Sequence, residues 1–395
     1  MSAAREPMLK LLRHASVYAP APLGVMDVLI AGEKICRVDS HIDGCEGLAD
    51  AAVLDLEGRY LLPGYIDLHA HITGGGGEQG PSSRVPEAHL SAFLRHGVTT
   101  AVGLLGTDGV TRSLENLLAK ARALTEEGMT VYTLTSAYGY PPAALTGSVE
   151  RDIVLLDPMI GVKVAVSDHR GDNPTGEELI RLASGARRAG LLSGKPGLTV
   201  MHMGAGRAGL DPLFHILDHS DVPAGNLLPT HVNRSGDLAE QGMRLLQRGG
   251  QVDFTAGMEP GGTEETARQI LRCLEVCGDA GERISLSSDA FGSQPRFDRQ
   301  GTCIGLTYVT PETLHRTVQA LVGCGLPLER AAALLTTVPA RLLGRSGSKG
   351  CIAPGADADL LVLDDALTIQ GVFARGRTAL WEGGLLMRGR FEPVP

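Results

Sequence analysis

Between residues 65 and 288, apolar runs of strand length alternate with amphipathic helical stretches, and this alternation leaves the chain very few folds. The runs are Tyr65–Leu68, Thr99–Leu105, Thr130–Thr135, Gly161–Val166, Leu198–Met203, Leu227–Val232, Gln251–Thr255 and Ile284–Ser288. Helical periodicity at Thr111–Glu127, Thr175–Ala189, Asp237–Arg248 and Thr263–Cys277 separates them. About eight strand–helix units over some 250 residues is the pattern of a (β/α)8 barrel. A doubly wound open sheet alternates in the same way. The barrel is favoured because chemically able polar residues recur at the C-terminal ends of nearly every strand, where barrel enzymes place their sites.

The two ends read differently. Val28–Ala31, Lys34–Val38 and Ala52–Leu56 are short strands separated by Gly and Asp turns, and Ala358–Leu363 and Gly371–Arg377 repeat that style near the C-terminus. A length of 395 residues exceeds one typical core. Together these predict a small, discontinuous β-sandwich domain from residues 1–60 plus 350–395, flanking a catalytic barrel over 61–349. A net charge of −9 and the lack of a basic run argue against nucleic acid as a partner. No apolar stretch is long enough to span a bilayer, so no membrane association is expected. Met1–Pro7 lacks the apolar core of a secretory signal, which points to the cytoplasm. Cys273 and Cys277 sit four apart with no matching second pair and read as packing on a helix face.

The chemistry concentrates at the strand ends. In Leu61-Leu-Pro-Gly-Tyr-Ile-Asp-Leu-His-Ala-His71 an apolar strand runs into His69 and His71. Strand residues two apart share a face, so both imidazoles aim at one point. His202 and His231 end the fifth and sixth strands and Asp289 ends the eighth. One such histidine is commonly structural; four with an aspartate on one barrel rim form a metal site. Lys163, inside the fourth strand, has two readings. It is either ion-paired with Asp168 or Asp289, or it is a neutral amine that captures carbon dioxide and bridges two cations as a carbamate.

This set resembles the amidohydrolase superfamily with a binuclear metal centre. The finer sequence is similar to the isoaspartyl dipeptidases (β-aspartyl peptidases) within it. The segments that carry the resemblance are Thr73-Gly-Gly-Gly-Gly-Glu-Gln-Gly-Pro81, Val102-Gly-Leu-Leu-Gly-Thr-Asp108, Thr135-Ser-Ala-Tyr-Gly-Tyr140, Gly161-Val-Lys-Val-Ala-Val-Ser-Asp-His-Arg170, Thr230-His-Val-Asn-Arg234 and Ser287-Ser-Asp-Ala-Phe-Gly-Ser293. The resemblance implies two zinc ions. His69, His71 and Asp289 would hold the first, His202 and His231 the second, with N6-carboxylated Lys163 as the bridge. It implies Asp289 as proton acceptor and Tyr138 as the phenol that polarises the scissile carbonyl. Glu78, beside Gly76, Gly77 and Thr107, falls where the substrate α-amine is recognised. Arg170, Arg234 and Ser293 fall where its carboxylates are held.

The implied reaction is zinc-dependent hydrolysis of β-aspartyl dipeptides to aspartate and an amino acid. The implied partner is a small-molecule dipeptide, and the implied assembly a homo-oligomer, with an octamer the size suggested. The alternatives share the centre: a cyclic-amide hydrolase of dihydroorotase or hydantoinase type, or an N-acyl-amino-acid deacylase. A non-catalytic scaffold is opposed by the retention of every ligand position. From the residues alone, Glu78 and Gly74–Gly77 also read as a solvated, flexible turn, and that loop and Phe291–Gly305 are expected to close over substrate.

Overall fold

The computed structural model describes residues 6–45, 47–257, 262–297 and 303–393. Eight parallel strands form the centre: Tyr65–Ala70, Val98–Gly103, Thr130–Thr135, Met159–Val166, Leu198–Met203, Leu227–Thr230, Val252–Thr255 and Ile284–Ser287. They are ordered as in the sequence, each pairing with the next. The first and eighth strands meet at the C-terminal rim. There Ala70 bridges Ala290, Asp289 N donates to His69 O (3.0 Å) and His71 N donates to Ala290 O (2.8 Å). Strands covered on both faces must be apolar throughout, and these are buried along most of their length.

Gly75–Gly80 carries the glycine spacing of a dinucleotide-binding turn, yet it leads into one 3-10 turn, Pro81–Ser83, and not into a long helix. The strands nearly close, so the open-sheet reading does not hold. Helices pack outside through one continuous apolar layer in which Val162, Val164 and Met201 meet Leu179, Ala183 and Leu213. Their ends follow local sequence. Helix Gly176–Ser193 starts at a capping box of Thr175 and Glu178 and stops at Gly194, whose φ of 68° suits glycine. Ser113 and Ser235 cap Leu114–Glu127 and Gly236–Gln247 by accepting from Asn116 N and Leu238 N.

Both chain ends build one nine-stranded sheet around Leu12, Val28, Ile30, Leu61, Leu360, Val362 and Phe373. Tyr60–Pro63 pairs antiparallel with Leu360–Leu363, so this strand belongs to the end sheet, and the chain enters the barrel only at Tyr65. Leu9–Tyr18, absent from the sequence-based strands, is central to the sheet, pairing with Pro22–Ala31, Ala51–Asp55 and Tyr60–Pro63. A register shift between Leu12 and Ala15, with His14 at φ 50°, breaks the alternation that a strand reading requires.

Buried Tyr65 locks the two units together. Its hydroxyl meets His315 Nδ1 (3.0 Å), and His315 Nε2 meets Leu367 O (2.6 Å). The expected closing loop Phe291–Gly305 contains an antiparallel hairpin of Ser293–Phe297 and Cys303–Tyr308, and residues 298–302 lie outside the described residues. Among the described residues no helix is long and apolar enough to cross a membrane.

Candidate metal centre

His69 and His71 leave the first strand on one face, their ring centroids 5.5 Å apart. Asp289 Oδ1 lies 3.1 Å from His71 Nε2 and 3.5 Å from His69 Nε2, and all three residues are buried. Two donors on one tetrahedral zinc, each about 2.1 Å from it, stand roughly 3.4 Å apart. Both distances from Asp289 match that spacing, and the three ligand atoms all lie within 4.8 Å of one another, so one cation could be shared among them. Asp289 keeps its place in a left-handed backbone, φ 55°, a conformation that costs energy outside glycine and clusters at functional sites. Burial alone would raise its pKa, but the His71 hydrogen bond together with the electrostatic pull of His71, His202 and Lys163 outweighs that and holds the carboxylate below its ordinary value.

The second half is built from the fourth, fifth and sixth strands. Lys163 pairs with Val200 in register, and His202 stands two residues further on, so the lysine lies one layer below the histidines. Only a long side chain reaches their level. Its Nζ comes within 3.1 Å of His69 Nε2. Neither expected ion pair forms: Asp168 is engaged by Arg170 and His202, Asp289 by His69 and His71, and among the described residues Lys163 has no carboxylate partner. Burial pulls the lysine pKa down to about 7 against the pull of Asp289 and Asp253, which favours the neutral amine.

His202 presents Nε2 to Asp168 Oδ2 at 2.9 Å, while the Tyr138 hydroxyl lies 2.7 Å from Nδ1. With Nε2–H donating to the carboxylate, Nδ1 carries the lone pair. Such a carboxylate–histidine couple orients metal-binding imidazoles. His231, at φ 65° beyond the sixth strand, places Nδ1 2.6 Å from Thr255 Oγ1. Its Nε2 is buried with no hydrogen-bond partner among the described residues. Leaving a buried polar atom unsatisfied costs about 1–3 kcal/mol, a cost that a bound cation would remove. The His202 and His231 rings are 4.5 Å apart, and His69 and His231 4.9 Å. Burial drives His202 down to about 3 and holds His69 and His231 well below their ordinary value. All three are neutral imidazoles, the form that binds metal.

A polar group adjoins this cluster. Glu78 accepts from Thr107 Oγ1 (3.1 Å) and from Ser293 Oγ (3.0 and 3.2 Å), with Arg170 Nη1 at 3.6 Å. Ser293 thus stands on Glu78, beside Arg170. Arg170 forks onto Asp168 (2.9 and 2.7 Å) and lies over the Tyr138 ring. Arg234 Nε donates to Met203 O at 3.0 Å, and its charge acts on His69, His202, His231 and Tyr138. Gly76 and Gly77 turn the loop at φ 76° and 102°, and a Cβ on Gly76 would sit 2.4 Å from Ser83 O. A cavity of about 310 Å³ opens beside Gly76, Gly77, Glu78, Thr107, Arg84 and Asp108.

Sequence reasoning missed three supports. In the sequence Asp168 offers itself only as a partner for Lys163, whereas it accepts from His202 and Arg170. Asp67 accepts from Ser288 N (3.1 Å), Ser288 Oγ and His69 N (3.2 Å), tying the first strand to the eighth; its place two residues before His69, on the same face, is the signal that could have found it. Arg112 reaches the glycine loop from a distant segment and leaves no local signal.

Comparison with known proteins settles the lineage. Residues 263–379 match the amidohydrolase family. The crystal structure of a β-aspartyl dipeptidase from the thermophilic, keratin-degrading Fervidobacterium islandicum AW-1, in complex with β-Asp-Leu dipeptide, is 39% identical. It covers 97% of this chain and 98% of its own, with a TM-score of 0.90. The chain belongs to the β-aspartyl dipeptidase family of the amidohydrolase superfamily. As a member it is a hydrolase on a fold that generally binds metal. More distant relatives include an imidazolonepropionase from Chromobacterium violaceum, 26% identical over 88% of this chain and 87% of its own. Adenine deaminase 2 from Rhizobium meliloti is 27% identical over 91% of this chain but only 54% of its own.

Proposed function

We propose that the protein hydrolyses β-aspartyl dipeptides with a pair of zinc ions bridged by carboxylated Lys163. The observation that carries this reading is the Glu78 cluster, joined to the histidines through Arg170: a carboxylate ringed by two hydroxyls is a receptor for a free ammonium. His69, His71 and Asp289 would hold one ion, His202 and His231 the other. Bound there, divalent cations supply a low-pKa water and withdraw charge from a carbonyl.

The residues supply the rest. Asp289 accepts the proton of the attacking water and passes it to the leaving amine. Tyr138, whose pKa burial drives upward, stays protonated and donates to the carbonyl oxygen as charge builds there. Glu78, with Thr107 and the Gly76–Gly77 turn, seats the α-amine, and Arg170 and Arg234 face the carboxylates.

The imidazolonepropionase relative supports a second reading, hydrolysis of a cyclic amide, on the same centre. Metal-replete protein assayed on β-Asp-Leu, α-Asp-Leu, N-acetyl-β-Asp-Leu, dihydroorotate and hydantoin separates the two. Preference for β-Asp-Leu is the expected result; preference for a cyclic or acetylated compound refutes the dipeptidase reading.

A further inference from the structure

Arg112 has no part in the chemistry above, yet it is buried and makes an unusual set of bonds. Its guanidinium donates from Nη1 to Thr73 O and from Nη2 to Gly75 O (3.1 Å) and Val85 O (2.8 Å). All three acceptors are backbone carbonyls at the two ends of the 73–85 loop, and Glu78 stands near its middle. Among the described residues Arg112 forms no ion pair. Carbonyl dipoles compensate a buried cation less fully than a carboxylate does, so fixing the loop is the role this arrangement serves.

The loop is tied elsewhere too. Gly75 N donates to Phe291 O (2.8 Å), Val85 N to Gly75 O (2.9 Å) and Gly77 N to Ser83 O (3.2 Å). Gly74, at φ 78°, passes so close to Val85 that a Cβ would lie 2.0 Å from its carbonyl oxygen. The segment is therefore a turn pinned at both ends.

We propose that Arg112 is a positioning residue for recognition of the substrate amine: by gathering three loop carbonyls onto one fork it sets where the Glu78 carboxylate stands. The role rests on the dipeptidase reading above. It requires a guanidinium, because donors fixed in a planar fork reach carbonyls in several directions, whereas a lysine ammonium is a single point.

The test compares β-Asp-Leu with N-succinyl-leucine, which is the same molecule without the α-amine, used as substrate or competitive inhibitor. Arg112→Lys is expected to raise KM for β-Asp-Leu about tenfold with kcat within about threefold, and to cut the preference for the amine at least about fivefold. Metal content is expected to stay at the wild-type level. In a Glu78→Gln background the same substitution should change the preference no further, since both act through one contact. An unchanged preference, or equal losses on both compounds, overturns the proposal. If Arg112→Lys does not fold, Arg112→Gln replaces it; failure of both overturns the proposal, because positioning a loop leaves the barrel core intact. A wild-type enzyme indifferent to the amine while Glu78→Gln changes nothing refutes the dipeptidase reading itself, a separate outcome.

Discussion

Replacing Asp168 with asparagine isolates what its carboxylate does for His202. Four donors converge on its two oxygens: His202 Nε2 (2.9 Å) and Arg170 Nη2 (2.7 Å) on Oδ2, Arg170 N (2.8 Å) and Nε (2.9 Å) on Oδ1. Burial would raise the Asp168 pKa, but these bonds hold it far below the ordinary carboxylate range. Asparagine offers one oxygen and turns an NH2, itself a donor, toward the other pair. The Arg170 side chain, 25% exposed, recovers part of its loss from water, leaving roughly 1 kcal/mol or less on that side. His202, 3% exposed, has no such escape and bears about 1–2 kcal/mol. The sum, about 1–3 kcal/mol, brackets the 10–100-fold loss of metal affinity typical when a histidine's orienting partner is removed. Chelator-stripped Asp168→Asn titrated with zinc against a chromophoric competitor should show one weakened site. The His69–His71–Asp289 site should bind as in wild type, since Asp168 touches none of those residues. Two affinities within threefold of wild type, or equal weakening of both, would refute the reasoning.

Lys163→Ala should lose most bound metal and turnover, with partial recovery on adding short carboxylic acids that fill the vacated volume; a variant keeping two metals and wild-type turnover rules out the carbamate. Asp289→Asn should lower kcat by about two orders of magnitude with a smaller loss of metal, and an unchanged pH–rate profile at full kcat would assign the proton to another group. Lys349→Met leaves the buried Asp359 carboxylate (2.5 Å) without its ammonium and takes from Asp357 (3.0 Å) one of its two, the other being Lys34 (2.6 Å), and should cost about 3 kcal/mol at pH 7 by denaturant titration. Burial pushes Asp357 up, but the Lys349 and Lys34 ammoniums win and hold it low. Its share of stability is therefore present above the unfolded carboxylate pKa of about 3.9 and lost as pH falls through the lower folded value. The gap between wild type and variant should close below roughly pH 4, and a gap that persists there would exclude the ion pair as its source.

Much of this fold is legible residue by residue. The barrel strands announce themselves because burial on both faces demands continuous apolar runs, and the helix ends because Thr175, Ser113 and Ser235 cap by local bonds. The gathering of His69, His71, His202, His231, Lys163 and Asp289 at one rim is legible too, since a polar residue in or at the end of an apolar run stands out. Leu9–Tyr18 was not, because its bulge scrambles the period-two pattern.

The sequence by itself determined the parallel strand–helix layout and the residue types on the rim, because both rest on local periodicity and on which side chains a buried strand tolerates. Only the tertiary structure decided the pairings. That Asp168 serves His202 and Arg170 and not Lys163, that Ser293 turns to Glu78, and that Arg112 grips a loop 27–39 residues earlier in the chain depend on side-chain directions from distant elements. Those directions arise when the barrel closes and brings its first and eighth strands together, and no stretch of sequence carries them.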